Sequence, residues 1–180
     1  YFPGDFDWSH FQAAPKAQQI DYLRGDEPFE IAGMHADHAA LRGSLPGVRV
    51  RALVRSERQI ARAAADEAFV GQVTNASTLR GVADGVDVVF SSLGITRQRD
   101  GMSYLDVDYG GNVAVLDEAN RAGVHRFVYV SVFDGKRLRS TVALADAKER
   151  FVDALTASSL RRTVIRPTGF FSDMRAYLDM

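Results

Sequence analysis

The chain of 180 residues contains no cysteine, which excludes disulfides, thiolate nucleophiles and cysteine-ligated zinc. A reducing cytoplasm is the simpler fit to that absence. Lysine is almost as scarce, at positions 16, 136 and 148 only. The other basic residues are arginines, and with abundant alanine this bias suggests a GC-rich bacterial source. The formal net charge is −1, so no global field draws nucleic acid or an anionic membrane. No apolar run reaches the roughly 18 residues of a membrane-span candidate, and no signal peptide opens the chain. The first residue is Tyr1, not Met, so the natural start is expected to be missing. What remains is an ordinary globular composition with enough apolar material for one core.

From residue 48 onward strands and helices are expected to alternate. "VRVRALV" (48–54) is short and β-branched, a strand, and "ERQIARAAADEA" (57–68) has helical spacing. "FVGQV" (69–73) reads as a strand and "NASTLRGVADG" (75–85) as a helix with an Asn or Ser cap. "VDVVFSSLG" (86–94) is a continuous apolar run ending in small residues, the mark of a buried parallel strand. An amphipathic helix over 108–123 ends at Gly123. "RFVYVSV" (126–132) is a second buried strand, "ADAKERFVDALTAS" (145–158) a helix, and "RRTVIRPTGF" (161–170) a strand stopped by Pro167. This alternation predicts a parallel sheet with helices on both faces. Residues 1–47 differ: aromatics, Pro and Asp occur there without a period, and a short helix is expected near 15–23.

The stretches "VRALVRS", "GVDVVFSSLGITRQRDGMSYLDVDYGGNVAVLDEANRAGVHRFVYVSVFDG", "DAKERFVDALTAS" and "TVIRPTGFFSDM" occur in that order. They resemble the atypical short-chain dehydrogenase/reductases, the NmrA-like NAD(P)-binding proteins, over residues 48–180. The stretch "DFDWSHFQAAPKAQQIDYLRGDEPFEIAGMHADHAALRGSLPGVRVRA" is similar instead to a bacterial domain of unknown function encoded beside type VI secretion effectors. That likeness runs to residue 52. The resemblances imply an α/β, Rossmann-like doubly wound parallel sheet whose first βα unit is replaced or degenerate. They imply truncation at both ends, with an N-terminal segment of different origin over 1–47 and an NAD(P)-binding domain over 48–180. The glycine-rich phosphate loop expected before the second strand of such a sheet is absent. "PFEI" (28–31) and "HADHAALRG" are candidates for a surrogate first strand and helix.

The family position of each motif suggests its role. Gly33 is the one glycine near a phosphate cradle, and the neighbouring Asp37 opposes an anion. Arg55 and Ser56 follow the second strand, where the adenosine ribose is read; an arginine there favours NADP over NAD. Val73 and Thr74, within "GQVTN", match the loop that edges the adenine. Ser91, Ser92, Leu93 and Gly94 end the next strand and leave room for a ribose or nicotinamide. Short-chain reductases carry a Ser, a Tyr acid and a Lys four residues after it. Ser131 and Lys148 match two of these as catalytic candidates, with Lys148 also facing the cofactor, but Leu144 stands where the tyrosine belongs. A leucine cannot donate a proton. His35 and His38 have one-face helical spacing, yet no convincing third ligand accompanies them, so no metal is expected.

The implied function is weak NADP binding (NAD possible), with reduction of a small carbonyl or quinone. Two alternatives stand beside it: a non-catalytic dinucleotide sensor or scaffold, and a secretion-associated adaptor or composite chain without activity. A small-molecule substrate is the expected partner, with no nucleic acid and no membrane. Lys148→Ala is expected to weaken NADPH binding by about 1 kcal/mol and to leave the melting temperature unchanged.

Overall fold

The computed structural model describes residues 47–62, 65–95 and 101–168. Gly33, His35, His38 and the surrogate strand 28–31 lie outside them. Five short parallel strands appear in chain order. They are β1 (Arg51–Val54), β2 (Glu67–Val70), β3 (Val88–Ser91), β4 (Arg126–Val130) and β5 (Arg161–Ile165). Three α-helices accompany them: α1 (Asn112–Ala122), the single turn α2 (Gly135–Leu138) and α3 (Ala143–Ala157). The fold is α/β and Rossmann-like.

The strands fall into two sheets, β1–β2 and β3–β4–β5, parallel throughout. In the nucleotide-binding order 3-2-1-4-5-6, these five correspond to positions two to six. The break between β1 and β3 therefore falls where the first strand of that order stands. No strand among the described residues bridges it.

Side chains and a shared core tie the halves together. Arg51 Nη1 donates to the carbonyls of Val82 (2.9 Å) and Asp84 (2.8 Å), and the Gly81 N–H donates to Glu118 Oε2 on α1 at 2.8 Å. The core joins Leu79, Val82 and Ala83 to Leu116 and Ala119 of α1, Phe127 and Tyr129 of β4, and Phe151 and Leu155 of α3. Leu53 and Phe69, from the two-stranded sheet, pack against the same cluster.

The five strands and the two long helices fall where periodicity placed them, within a few residues. Two other helices shrink to 3₁₀ turns, Glu57–Arg62 and Ala76–Leu79. In the second case Gly81 (φ +87°) and Gly85 (φ +70°) turn the backbone left-handed inside the expected helix, which glycine alone adopts without strain. In the first, β2 already begins at Glu67, inside the stretch expected to be helical. α1 is preceded by a π-helical stretch, Leu105–Gly111, a form that concentrates at functional sites. Gly123 closes α1 with φ +69° as expected.

Candidate functional site

The carboxyl ends of β3 and β4 meet the π-helical stretch and α3, and a buried polar cluster forms there. Its first half is built on the turn after β3. Ser91 is buried, and its hydroxyl donates to Asn112 Oδ1 at 2.5 Å. The Asn112 amide donates in turn to the Leu93 carbonyl (3.2 Å) and the Asp108 carbonyl (2.8 Å). The Ile95 N–H donates to Asp108 Oδ2 at 3.1 Å. Asp108 and Asn112 thus hold the 91–95 turn from both ends.

Lys148 enters from α3. Its Nζ lies 3.1 Å from Asp108 Oδ1, with the lysine side chain 10% exposed and the aspartate 0%. Among the described residues no donor reaches Oδ1 in good hydrogen-bonding geometry, so the contact acts mainly through charge. Burial pushes the Asp108 carboxyl above its ordinary range, opposed first by the charge of Lys148 and then by the Ile95 N–H. Gly94 makes this approach possible. A Cβ there would collide with Asp108 Oδ1 and lie 3.1 Å from Lys148 Nζ. Lys148 also sits 5.4 Å from the centre of the Tyr129 ring.

The second half belongs to Glu149, the next residue of α3. Its fully buried carboxylate pairs with both terminal guanidinium nitrogens of Arg166, Nη1 and Nη2, the latter at 2.9 Å. It also accepts the Ser131 hydroxyl at 3.1 Å. Between the two pairs lies Tyr129, fully buried, its hydroxyl without a partner among the described residues. Burial, then the Asp108 and Glu149 carboxylates, drive this phenol far above its usual range. Tyr129 therefore stays neutral and shut away from solvent, unable to replace the acid missing at Leu144. Tyr129→Phe removes an orphaned polar group without opening space, and should raise stability by about 1 kcal/mol in urea unfolding. A loss instead would show that the hydroxyl has a partner.

The other sequence candidates follow the carboxyl ends of β1, β2 and β3. Val73 and Thr74 line an open cleft of about 370 Å³ with Met102, Leu105, Asp106 and Gly110. Gly111 lets the π-helical stretch approach closely, since a Cβ there would sit 3.1 Å from Val73 and Leu93 side-chain carbons. A reciprocal cap starts this stretch: the Ser103 N–H and hydroxyl donate to Asp106 Oδ2 at 2.8 and 2.7 Å. Arg55 and Ser56 are exposed after β1. The Arg55 N–H donates to Gln59 Oε1 (2.8 Å), and its carbonyl accepts Gln72 Nε2 (3.2 Å). Ser92 is exposed and Leu93 half-buried.

The structure revises the expectation for Lys148 and Ser131. Lys148 is a buried partner of Asp108, and Ser131 is engaged by a different carboxylate. A change confined to cofactor binding is no longer expected of Lys148→Ala. Sequence reasoning passed over Asp108, Asn112, Glu149 and Arg166. One signal was present: Lys148 shares a helical stripe with the apolar Phe151, Val152 and Leu155.

Comparison with known proteins gives two answers for the two parts of the chain. A family model described as "Uncharacterized protein conserved in bacteria (DUF2169)" matches residues 1–86. This reaches through β1 and β2, well past residue 52. A 3β-hydroxysteroid dehydrogenase/Δ5→4-isomerase of Mycobacterium tuberculosis is 29% identical over 106 residues, covering 52% of this chain and 29% of that protein. Among solved structures, an NADPH-dependent quinone oxidoreductase from Escherichia coli superposes with a TM-score of 0.58 at 20% identity, covering 79% of this chain and 48% of that one. The Citrobacter sp. triphenylmethane reductase complexed with NADP(H) gives 0.60 at 18%, covering 78% and 49%. The chain thus spans about half the length of these reductases. Structural matches of this extent must include part of 1–86, so the two likenesses overlap. The fold shared with these dinucleotide-dependent enzymes is the Rossmann-like α/β fold, and the buried Asp108–Lys148 pair lies at the carboxyl edge of its sheet.

Proposed function

We propose that this chain is the dinucleotide-binding part of a reductase, with NADPH preferred. The observation that carries the reading is Lys148, a cation fixed beneath Gly94 at the carboxyl end of β3, where open parallel sheets bind ligands. The residues fit the group. Gly94 and Gly111 bring the backbone and Lys148 close to the turn, and Val73, Thr74 and Gly110 wall an open cleft beside it. Lys148 and the 91–94 turn would face the sugar and nicotinamide, Val73 and Thr74 the adenine, and Arg55 and Ser56 the adenosine ribose with its 2′-phosphate. When bound, the nicotinamide supplies a hydride. The chain's own contribution is binding and orientation. Leu144 donates no proton, the Ser131 hydroxyl is committed to Glu149, and Tyr129 is buried.

The second reading, a dinucleotide sensor without chemistry, is favoured by that same shortage of a proton donor. Titration calorimetry with NADPH and NADH tests the shared premise. NADPH should bind with a dissociation constant above micromolar and NADH more weakly. Submicromolar NADH binding would overturn the assignment, as would no binding of either. Turnover of a quinone or aldehyde then separates enzyme from sensor.

A further inference from the structure

Resting on that reading, we infer that Asp108 is a positioning residue: its buried carboxylate fixes the Lys148 ammonium beneath Gly94 and so presents the cation to the dinucleotide. Among the described residues, three surfaces meet the ammonium. Asp108 reaches it from the π-helical stretch at 3.1 Å, the Tyr129 ring from β4 at 5.4 Å, and Gly94 from the turn after β3. Among the described residues only the first offers an anion. Glu149, the next residue on α3, is fully engaged by Arg166 and Ser131. Without Asp108 a four-carbon side chain has no fixed place for its charge. The carboxylate is itself immobilised, because its second oxygen accepts the Ile95 N–H and Asn112 ties its backbone carbonyl. The ammonium is therefore placed relative to the 91–95 turn, the stretch that would lie against the cofactor. Asp108 is fully buried, so it acts through Lys148 and touches no ligand.

A double-mutant cycle tests this with NADPH affinity, read by calorimetry, beside thermal melting. Asp108→Asn should weaken NADPH binding about tenfold with Lys148 present, the worth of one well-placed charged hydrogen bond. In the Lys148→Met background the same change should alter affinity by less than about twofold. The double variant, a neutral pair of similar size, should regain most of the lost melting temperature without regaining NADPH affinity. That split separates positioning from simple structural support. Equal weakening in both backgrounds would overturn the inference, as would unchanged affinity in Asp108→Asn. If the wild-type chain binds no NADPH, the functional reading itself fails, which is a different outcome. Should Asp108→Asn not fold alone, Asp108→Glu takes its place in the cycle. It keeps the charge while displacing it, with the same affinities expected.

Discussion

Replacing Lys148 with Met should cost about 3–5 kcal/mol of folding stability, because it leaves Asp108 as a buried carboxylate without a counter-charge. For a chain of this size that is a fall of roughly 10 °C in melting temperature. The value rests on burial. The aspartate side chain is 0% exposed and the lysine 10%, so water cannot stand in for the missing partner. The pH dependence follows from the sign of the Asp108 shift. Burial raises the folded carboxyl above its ordinary value of 3.8. The folded state then takes up its proton before the unfolded state does. The stability tied to that proton is fully present below the ordinary value and is lost as pH rises through the folded one. Without Lys148 the carboxyl rises further, so the deficit of Lys148→Met should be largest near neutrality and shrink as pH falls toward 4. Thermal melts of both proteins across that range measure it. A deficit that is small and flat with pH would mean that the pair is open to solvent.

That expectation is the reverse of what the sequence suggested, and the reason is physical. The strands were legible from their β-branched runs, and α1 and α3 from their apolar stripes, because those signals are local. The 3₁₀ turn at Ala76–Leu79 was hidden because composition favoured a helix while two glycines broke it. The catalytic candidates Ser131 and Lys148 were found by family position, which says where a residue falls along the chain and nothing about its partners. Asp108 and Lys148 are forty positions apart and meet only after β3, the π-helical stretch and α3 have docked. Asp108 and Asn112 stand four apart, a one-face helical spacing, but spacing alone does not say which distant turn that face meets. The absent glycine loop pointed to a replaced or degenerate first unit, and no strand among the described residues stands between β1 and β3. The sheet divides between β1–β2 and β3–β5, and the family match ends at residue 86, just before β3.

Glu149→Gln should be the second costly change, at about 3 kcal/mol, and it bears on the role of Ser131. Glu149 is fully buried and grips Arg166 with both oxygens. A neutral amide offers one acceptor where the guanidinium needs two, and its NH₂ would face another donor. Burial of the carboxylate also leaves no space to rotate away, since a Cβ added at Gly135 would already lie 2.5 Å from Glu149 Oε1. Ser131→Ala removes only a hydroxyl that donates to this carboxylate at 3.1 Å, a loss of about 1–2 kcal/mol. Urea unfolding should therefore rank Glu149→Gln as clearly more destabilised than Ser131→Ala. NADPH affinity should fall less in Ser131→Ala than in Lys148→Met, because the hydroxyl is turned toward Glu149 and only the ammonium is fixed against the turn. The opposite pattern, with Ser131→Ala fully stable yet unable to bind NADPH, would show that the serine leaves Glu149 to meet the cofactor. The Glu149–Arg166 pair would then serve as its resting place, not its anchor.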